Sequence, residues 1–198
     1  MKLLRLIAIV VLGFEMPVPI YWLILHSRVS FWRRHIRAIF PVAVFLAWGV
    51  FDSLLYFFRR DLFRPERVSW FVAIGMAMMA FDVFALSTSE AVFGGRRLVG
   101  HSELAGSGEL IAHGLYARVR HPRYLGMMAG MFGACVIVAS PWLWAVSILW
   151  LPLALANIHA EESELRARLG SAYAAYAERV PALLPLRLAS RNKDVSRP

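Results

Sequence analysis

The sequence predicts an all-α integral membrane protein with about five transmembrane helices and a C-terminal amphipathic helix. Three observations carry that prediction. Hydrophobic residues make up 59% of the 198 residues, against about 45–50% in ordinary globular domains. The excess falls in long blocks, most of them near the ~20 apolar residues that cross a bilayer. Finally, 16 of the 22 Lys and Arg fall on one side of the membrane when five spans are drawn, as the positive-inside rule requires of a cytoplasmic side. The net charge of +9 is therefore topological. Membrane lipids are the expected surroundings, and nucleic acid is not an expected partner.

The first span runs from Leu3 to about Leu25. It is too long for a signal-peptide core, contains Glu15, Pro17 and Pro19, and lacks an Ala-x-Ala site, so it reads as a retained span. The second runs from about Ile36 to Phe58 and the third from about Val68 to Leu86. Residues 87–123 form a long, Gly-rich polar loop. The fourth span covers about Tyr124 to Ala139 and the fifth about Trp142 to Ile158, joined by a tight Ser140-Pro141 hairpin. Residues 161–179 read as a separate amphipathic helix, because Leu165, Leu169, Tyr173 and Tyr176 share one face. Cys135, the lone cysteine, sits in an apolar run and reads as a packed thiol. The whole of 1–198 is one membrane domain: three N-terminal spans over 1–87, a functional region over 88–185 and a polar tail over 186–198. Five spans put the N-terminus outside and the C-terminus in the cytoplasm, in what is expected to be a bacterial inner membrane.

Two polar clusters flank the fourth and fifth spans. The first is Gly114-Leu-Tyr-Ala-Arg-Val-Arg-His-Pro-Arg-Tyr-Leu-Gly126 and the second is Glu161-Glu162. Their convergence on the cytoplasmic side would make a site for a charged small molecule. Pro122 suits the first turn of a helix, which places His121 at the N-cap. The free N–H groups there hold an anion such as a carboxylate. Tyr116 and Tyr124 offer faces and hydroxyls for an adenine or ribose, and Gly114 and Gly126 let a ligand or backbone approach. Glu162–Arg166 and Glu164–Arg168 are i,i+4 pairs, which accounts for those two acids. Glu161 is in no i,i+4 pair of that kind in the sequence and is expected to meet an ammonium or ribose. Gly126, Gly130 and Ala134 form a stripe for close helix packing. Met127, Met128 and Met131 line the same span, and Met127 and Met131 are expected at an adaptable slot for a lipid-like substrate. Glu15, Asp52 and Asp82 lie inside spans, where a carboxylate is either functional or paired with an Arg.

Arg120-His121-Pro122-x-Tyr124-x-Gly126, then Glu161-Glu162, then Leu169-Gly170, Tyr173, Tyr176, Arg179-Val180-Pro181 and Leu184-Pro185 resemble the signature of isoprenylcysteine carboxyl methyltransferases and the related phospholipid methyltransferases. The resemblance covers about residues 108–185. It implies a cytoplasmic loop that binds S-adenosylmethionine, contacted by Gly108, Glu109, Leu110 and Ile111, by Tyr116, by His121, Pro122, Arg123 and Tyr124, and by Glu161. Arg120 belongs to the same motif. The carboxyl methyltransferases carry an Arg four residues before the first Glu, where this chain has Asn157. Asn157 is thus expected at the substrate, without the charge that holds a prenylcysteine carboxylate. Arg118 or Arg120 is the alternative source of that charge, and His159 is the nearest proton acceptor for an amine. The expectation is an integral membrane methyltransferase acting on an amphiphilic or lipid-like small molecule. The competing readings are an NADPH-dependent membrane reductase, with Arg96-Arg97 at the 2′-phosphate, and a non-catalytic protein that keeps the pocket.

Overall fold

The computed structural model of the chain describes residues 2–27, 31, 34, 39–62, 71–93 and 110–184. Among these residues every regular element is helical. The first apolar block is two helices, α1 (Lys2–Glu15) and α2 (Val18–Ser27). Pro17 and Pro19 supply no N–H, so the carbonyls of Gly13 and Glu15 lose their helical partners and the rod breaks between them. The break is pinned from across the bundle: Trp150 Nε1 donates to the Met16 carbonyl at 3.2 Å, and Asn157 Nδ2 donates to the Pro19 carbonyl at 2.6 Å.

Helix α3 spans Ile39–Phe57 and a single turn, α4, spans Arg59–Leu62. Helix α5 spans Val72–Phe93. It runs seven residues past the expected end at Leu86, into what reads as polar loop. Its hydroxyls explain the difference: Ser87 Oγ donates to the Val83 carbonyl at 2.7 Å and Thr88 Oγ1 to the Phe84 carbonyl at 2.9 Å. Polar side chains satisfied on their own helix do not end it.

Helix α6 spans Pro122–Val138 and α7 spans Pro141–Leu169. Only Ala139 and Ser140 separate them, with Ala139 left-handed at φ 56°. Pro141 then opens α7 at its first position. No break separates the fifth span from the Glu161-Glu162 segment. The expected amphipathic helix over 161–179 is instead the end of α7 plus a short α8 (Ser171–Arg179), divided at Gly170 with φ 55°. Nothing between Ile158 and Glu161 stops a helix, whereas Gly170 does. At 29 residues, α7 is about 43 Å long, well beyond the ~30 Å hydrocarbon core. Its last turns carry the acidic residues clear of the apolar stretch.

Among the described residues, three helical segments are long and apolar enough to cross a membrane: Leu3–Ile24, Val72–Val92 and Pro141–Leu169. Two shorter apolar helices, Phe45–Phe57 and Pro122–Val138, stand at the other expected spans. Helix α6 is central. Helix α5 packs along it, α1 lies against it, and α2 lies against α7. The α5–α6 contact is very close and antiparallel. A Cβ on Gly133 would lie 2.6 Å from the Gly75 carbonyl, one on Gly126 would lie 2.7 Å from Ala85 Cβ, and one on Gly130 would run into the Asp82 carboxylate. The expected stripe of small residues is therefore a helix interface, with Gly75–Gly133 as a further close pair. Met131, Ala134 and Cys135 are fully buried beside it, and Cys135 Sγ lies 3.1 Å from Ser147 Oγ.

Candidate active site

The segment before α6 folds back as a short 3-10 turn, Gly114–Ala117, entered at Gly114 with φ +62°. The turn buries Tyr116. Tyr116 Oη lies 3.2 Å from Ser89 Oγ on α5, and the Tyr116 carbonyl accepts from Tyr176 Oη on α8 at 2.6 Å. Two backbone hydrogen bonds then pair this segment with the chain after α8: Arg120 N–H to the Pro181 carbonyl at 2.8 Å and His121 N–H to the Ala182 carbonyl at 3.0 Å. The Arg120 guanidinium completes the clasp. It donates to Glu162 Oε1 at 2.6 and 2.8 Å, to the Ala177 carbonyl at 2.8 Å and to the Val180 carbonyl.

His121 precedes Pro122 and makes no side-chain cap on α6. That helix therefore starts without a side-chain cap, and Leu125 N–H donates to the His121 carbonyl at 3.1 Å. The His121 ring is almost fully buried and lies between two adjacent carboxylates, with Nε2 3.2 Å from Glu162 Oε1 and Nδ1 3.8 Å from Glu161 Oε2. Tyr124 meets it edge-on at 5.8 Å. The two acids differ in use. Glu162 takes Arg120, His121 and Arg166, so its i,i+4 pairing with Arg166 is one contact of three. Glu161 lines the cavity described below. On the far side Tyr173 is buried, which pushes its phenol up to about 12, with the neighbouring Glu162 charge adding to the effect. It stays protonated.

Arg123 points the other way, into the bundle. It donates to Asp82 Oδ1 on α5 at 2.7 Å and to Glu15 Oε1 on α1 at 2.6 Å. Two of the three intramembrane acids are thus paired with one guanidinium. Asp52 is apart from them, on α3 beside Gly13 of α1.

These elements line a cavity whose empty space, counted out through its open mouth, is about 730 Å³. One kind of wall is polar: Ser89 and Glu90 from the end of α5, Tyr116 and Arg120 from the preceding segment, His121, Arg123 and Tyr124 at the start of α6, and Glu161 from α7. The other is apolar: Phe14, Val18 and Trp22 from α1 and α2, Trp48 from α3, and Met127 from α6. Tyr116, Arg120, His121, Arg123, Tyr124, Met127 and Glu161 are thus brought together as expected. Pro122 and Gly126 serve as helix start and helix contact, and Gly114 shapes the turn. Leu110 and Ile111 are half-buried nearby in the chain but are not among the lining residues. Gly108, Glu109, Arg96 and Arg97 lie outside the described residues. Met131 is core. Asn157 is fully buried with its amide on the Pro19 and Leu153 carbonyls, so it braces the α2–α7 contact rather than lining the cavity. Arg118 and His159 are exposed. The sequence reading missed Ser89, Glu90, Phe14, Val18, Trp22 and Trp48. The four-residue spacing of Phe14, Val18 and Trp22 was the available signal.

The phospholipid methyltransferase family model matches residues 70–171. Methanethiol S-methyltransferase 2 of Bradyrhizobium diazoefficiens is 30% identical over 129 residues, which is 64% of this chain and 46% of that protein. Protein-S-isoprenylcysteine O-methyltransferase of Mus musculus is 28% identical over 138 residues, 68% of this chain and 49% of that protein. The chain spans about half the length of these curated relatives. No solved structure matches. The matched stretch holds α5, the His121-Pro122 junction, α6 and Glu161, which is to say the polar wall of the cavity, and it exceeds half of the sequence: the chain belongs to the phospholipid methyltransferase family.

Proposed function

We propose that the protein is a membrane-embedded methyltransferase that takes its methyl group from S-adenosylmethionine and passes it to an amphiphilic or lipid-like small molecule. The observation that carries this reading is one cavity with two kinds of wall. The polar wall offers what the cofactor needs. The uncapped N-terminus of α6, behind His121 and Pro122, suits a carboxylate. Glu161 suits an ammonium or ribose hydroxyls, and the Tyr116 and Tyr124 rings suit a base. S-adenosylmethionine would supply a methyl group carried on a cationic sulfur. The chain's own part is to bind, align and exclude water, and alignment alone is worth up to about 7–11 kcal/mol of barrier.

The aromatic wall of Phe14, Trp22 and Trp48 faces the other reactant and favours an apolar body. By their names, the two relatives methylate sulfur in one case and oxygen in the other, so family membership leaves the acceptor atom open. Asn157 gives a reason to disfavour prenylcysteine acids. It stands where the carboxyl methyltransferases have Arg, and its amide is already bonded to backbone carbonyls. Arg120 and Arg123 line the cavity but are already engaged by Glu162 and by Glu15 and Asp82, and a buried carboxylate that gains no cation of its own is expensive. A neutral, thiol or amine-bearing acceptor is the better fit, with the amine losing its proton before transfer. In this reading the polar wall faces the cytoplasm.

Titration calorimetry in detergent tests the site. His121→Ala and Glu161→Ala are each expected to weaken S-adenosylmethionine binding about tenfold or more, as for the loss of a hydrogen bond to a charged group. Unchanged affinity in both would remove the cofactor from this cavity. Transfer of labelled methyl to a prenylcysteine analogue by the unaltered protein, at a rate matching its best thiol or amine acceptor, would show the argument from Asn157 to be wrong.

A further inference from the structure

Most charges on the wall of the candidate active site are engaged within the protein. Arg120 donates to Glu162, and Arg123 donates to Glu15 and Asp82. The His121 ring lies between Glu161 and Glu162. Glu90 is different. It lines the cavity from α5, is half-buried, and has no hydrogen bond or ion pair among the described residues. Neither guanidinium has charge to spare for it, since Arg123 already meets two carboxylates with one cation. The backbone that carries Glu90 is fixed. Ser89 before it is buried, with Oγ 3.2 Å from Tyr116 Oη, and α5 continues to Phe93. Glu90 therefore stands on the flank of a pinned helix, about 100° round from Ser89. A carboxylate drawn partly out of water without a partner is unfavourable. One that lines a cavity in that state is a candidate for the chemistry done there.

We propose that Glu90 is the catalytic base of the methyl transfer, its carboxylate receiving the proton that the acceptor gives up. The proposal rests on the methyltransferase reading and narrows the acceptor within it to a head group that carries a proton, a thiol or an amine. The features suited to the cofactor's own charges, the start of α6 and Glu161, stand elsewhere on the wall. The other titratable groups there suit the role less well. Arg120 and Arg123 are cations already held by carboxylates. Tyr116 and Tyr124 present phenols, which are not bases until ionised. His121 meets Glu162 at Nε2 and faces Glu161 at Nδ1. The remaining helices, α1, α2 and α3, bring only Phe14, Val18, Trp22 and Trp48 to the cavity, so no charge faces Glu90 from that side. In the step, the acceptor sulfur or nitrogen forms the new bond to the methyl carbon. The bond from that carbon to the donor sulfur breaks, and its electron pair stays on the donor sulfur. The acceptor's proton passes to a Glu90 oxygen and then to water at the cavity mouth. The same carboxylate repels an anionic head group, which is a reason independent of Asn157 to disfavour prenylcysteine acids.

The test compares acceptors in labelled methyl transfer by the full chain in detergent, at saturating S-adenosylmethionine. n-Butanethiol and n-butylamine keep a proton to give in neutral water, whereas 4-nitrothiophenol is already ionised there and has none. Glu90→Gln is expected to lower kcat/KM for the butyl acceptors at neutral pH about a hundredfold or more, as for the loss of a general base. The deficit should shrink as the pH rises and the acceptors lose their protons unaided. For 4-nitrothiophenol the variant is expected to be as fast or faster, because a carboxylate that repels the thiolate is gone. S-adenosylmethionine affinity and the melting temperature should not change. Glu90→Asp is expected to keep part of the activity on the butyl acceptors, and added acetate to restore part of it to Glu90→Ala. Either serves if the glutamine variant folds poorly. Equal losses on butanethiol and 4-nitrothiophenol, or no loss on any acceptor, would overturn the base and leave the methyltransferase reading standing. A tenfold weaker cofactor affinity with the butyl-to-aryl ratio unmoved would do the same, placing Glu90 at the cofactor. Failure of the unaltered protein to bind S-adenosylmethionine would bring down the methyltransferase reading, and the base with it.

Discussion

Arg123 ties three helices together through its ion pairs. Its guanidinium bridges Glu15 of α1 and Asp82 of α5 from its own place on α6, and Glu15 is 2% exposed. Breaking a buried ionic cluster by removing one member costs about 3–5 kcal/mol, because charge is left without a partner. Arg123→Met should therefore lower the detergent melting temperature sharply. Adding Glu15→Gln and Asp82→Asn to it should recover much of the loss, since apolar and neutral polar groups bury more cheaply than unpaired charge. An unchanged melting curve for Arg123→Met would mean that the cluster contributes little. Lys at the position is not conservative, because it lacks the planar fork that meets two carboxylates at once. Tyr176→Phe is a milder test of the clasp over the cavity. It removes one buried hydrogen bond to the Tyr116 carbonyl, and a loss of about 1 kcal/mol is expected in the same measurement.

At the scale of elements, glycine and its absence make opposite predictions in neighbouring places. Gly130→Ala drives a methyl into the Asp82 side chain at the closest helix pair, and overpacking of this kind costs about 1–3 kcal/mol. Ala139 is the reverse case: it closes the α6–α7 hairpin in the left-handed region, at φ 56° and ψ 39°. Ala139→Gly should stabilise the protein by up to about 1 kcal/mol, seen as a higher melting temperature. The same elements show what was legible in the sequence. Hydropathy located α3, α5, α6 and α7, because apolar length is what a bilayer selects. It misplaced the ends of α5 and α7, where polar residues continue a helix: Ser87 and Thr88 satisfy themselves on the preceding turn, and no breaker stands between Ile158 and Gly170. His121, Tyr116, Tyr124 and Glu161 stood out as polar groups in an apolar chain. Phe14, Trp22 and Trp48 did not, because in a membrane protein an aromatic side chain on a cavity wall has the same sequence signature as one facing lipid.

The whole molecule has two unlike ends. The cavity gathers the end of α5, the segment before α6, the start of α6 and the final third of α7, so these ends lie on one side of the bundle. The Ala139–Ser140 turn lies at the opposite ends of α6 and α7. This arrangement agrees with an odd number of crossings, in which the first helix begins opposite the site and α7 finishes beside it. With five spans drawn on the sequence, 16 of the 22 Lys and Arg are assigned to the side expected for the site, and positive charge in short loops is expected on the cytoplasmic face. The cofactor proposed for the cavity is a soluble cytoplasmic metabolite, so the charge asymmetry and the position of the polar wall make the same demand. Reporter fusions at the two ends of the chain test it. A reporter after Pro198 is expected to be active only as a cytoplasmic protein, and one before Met1 only as an external one. Both ends found in the cytoplasm would require an even number of crossings. One of the two short apolar helices, Phe45–Phe57 or Pro122–Val138, would then have to be non-spanning, and the five-span architecture would be lost.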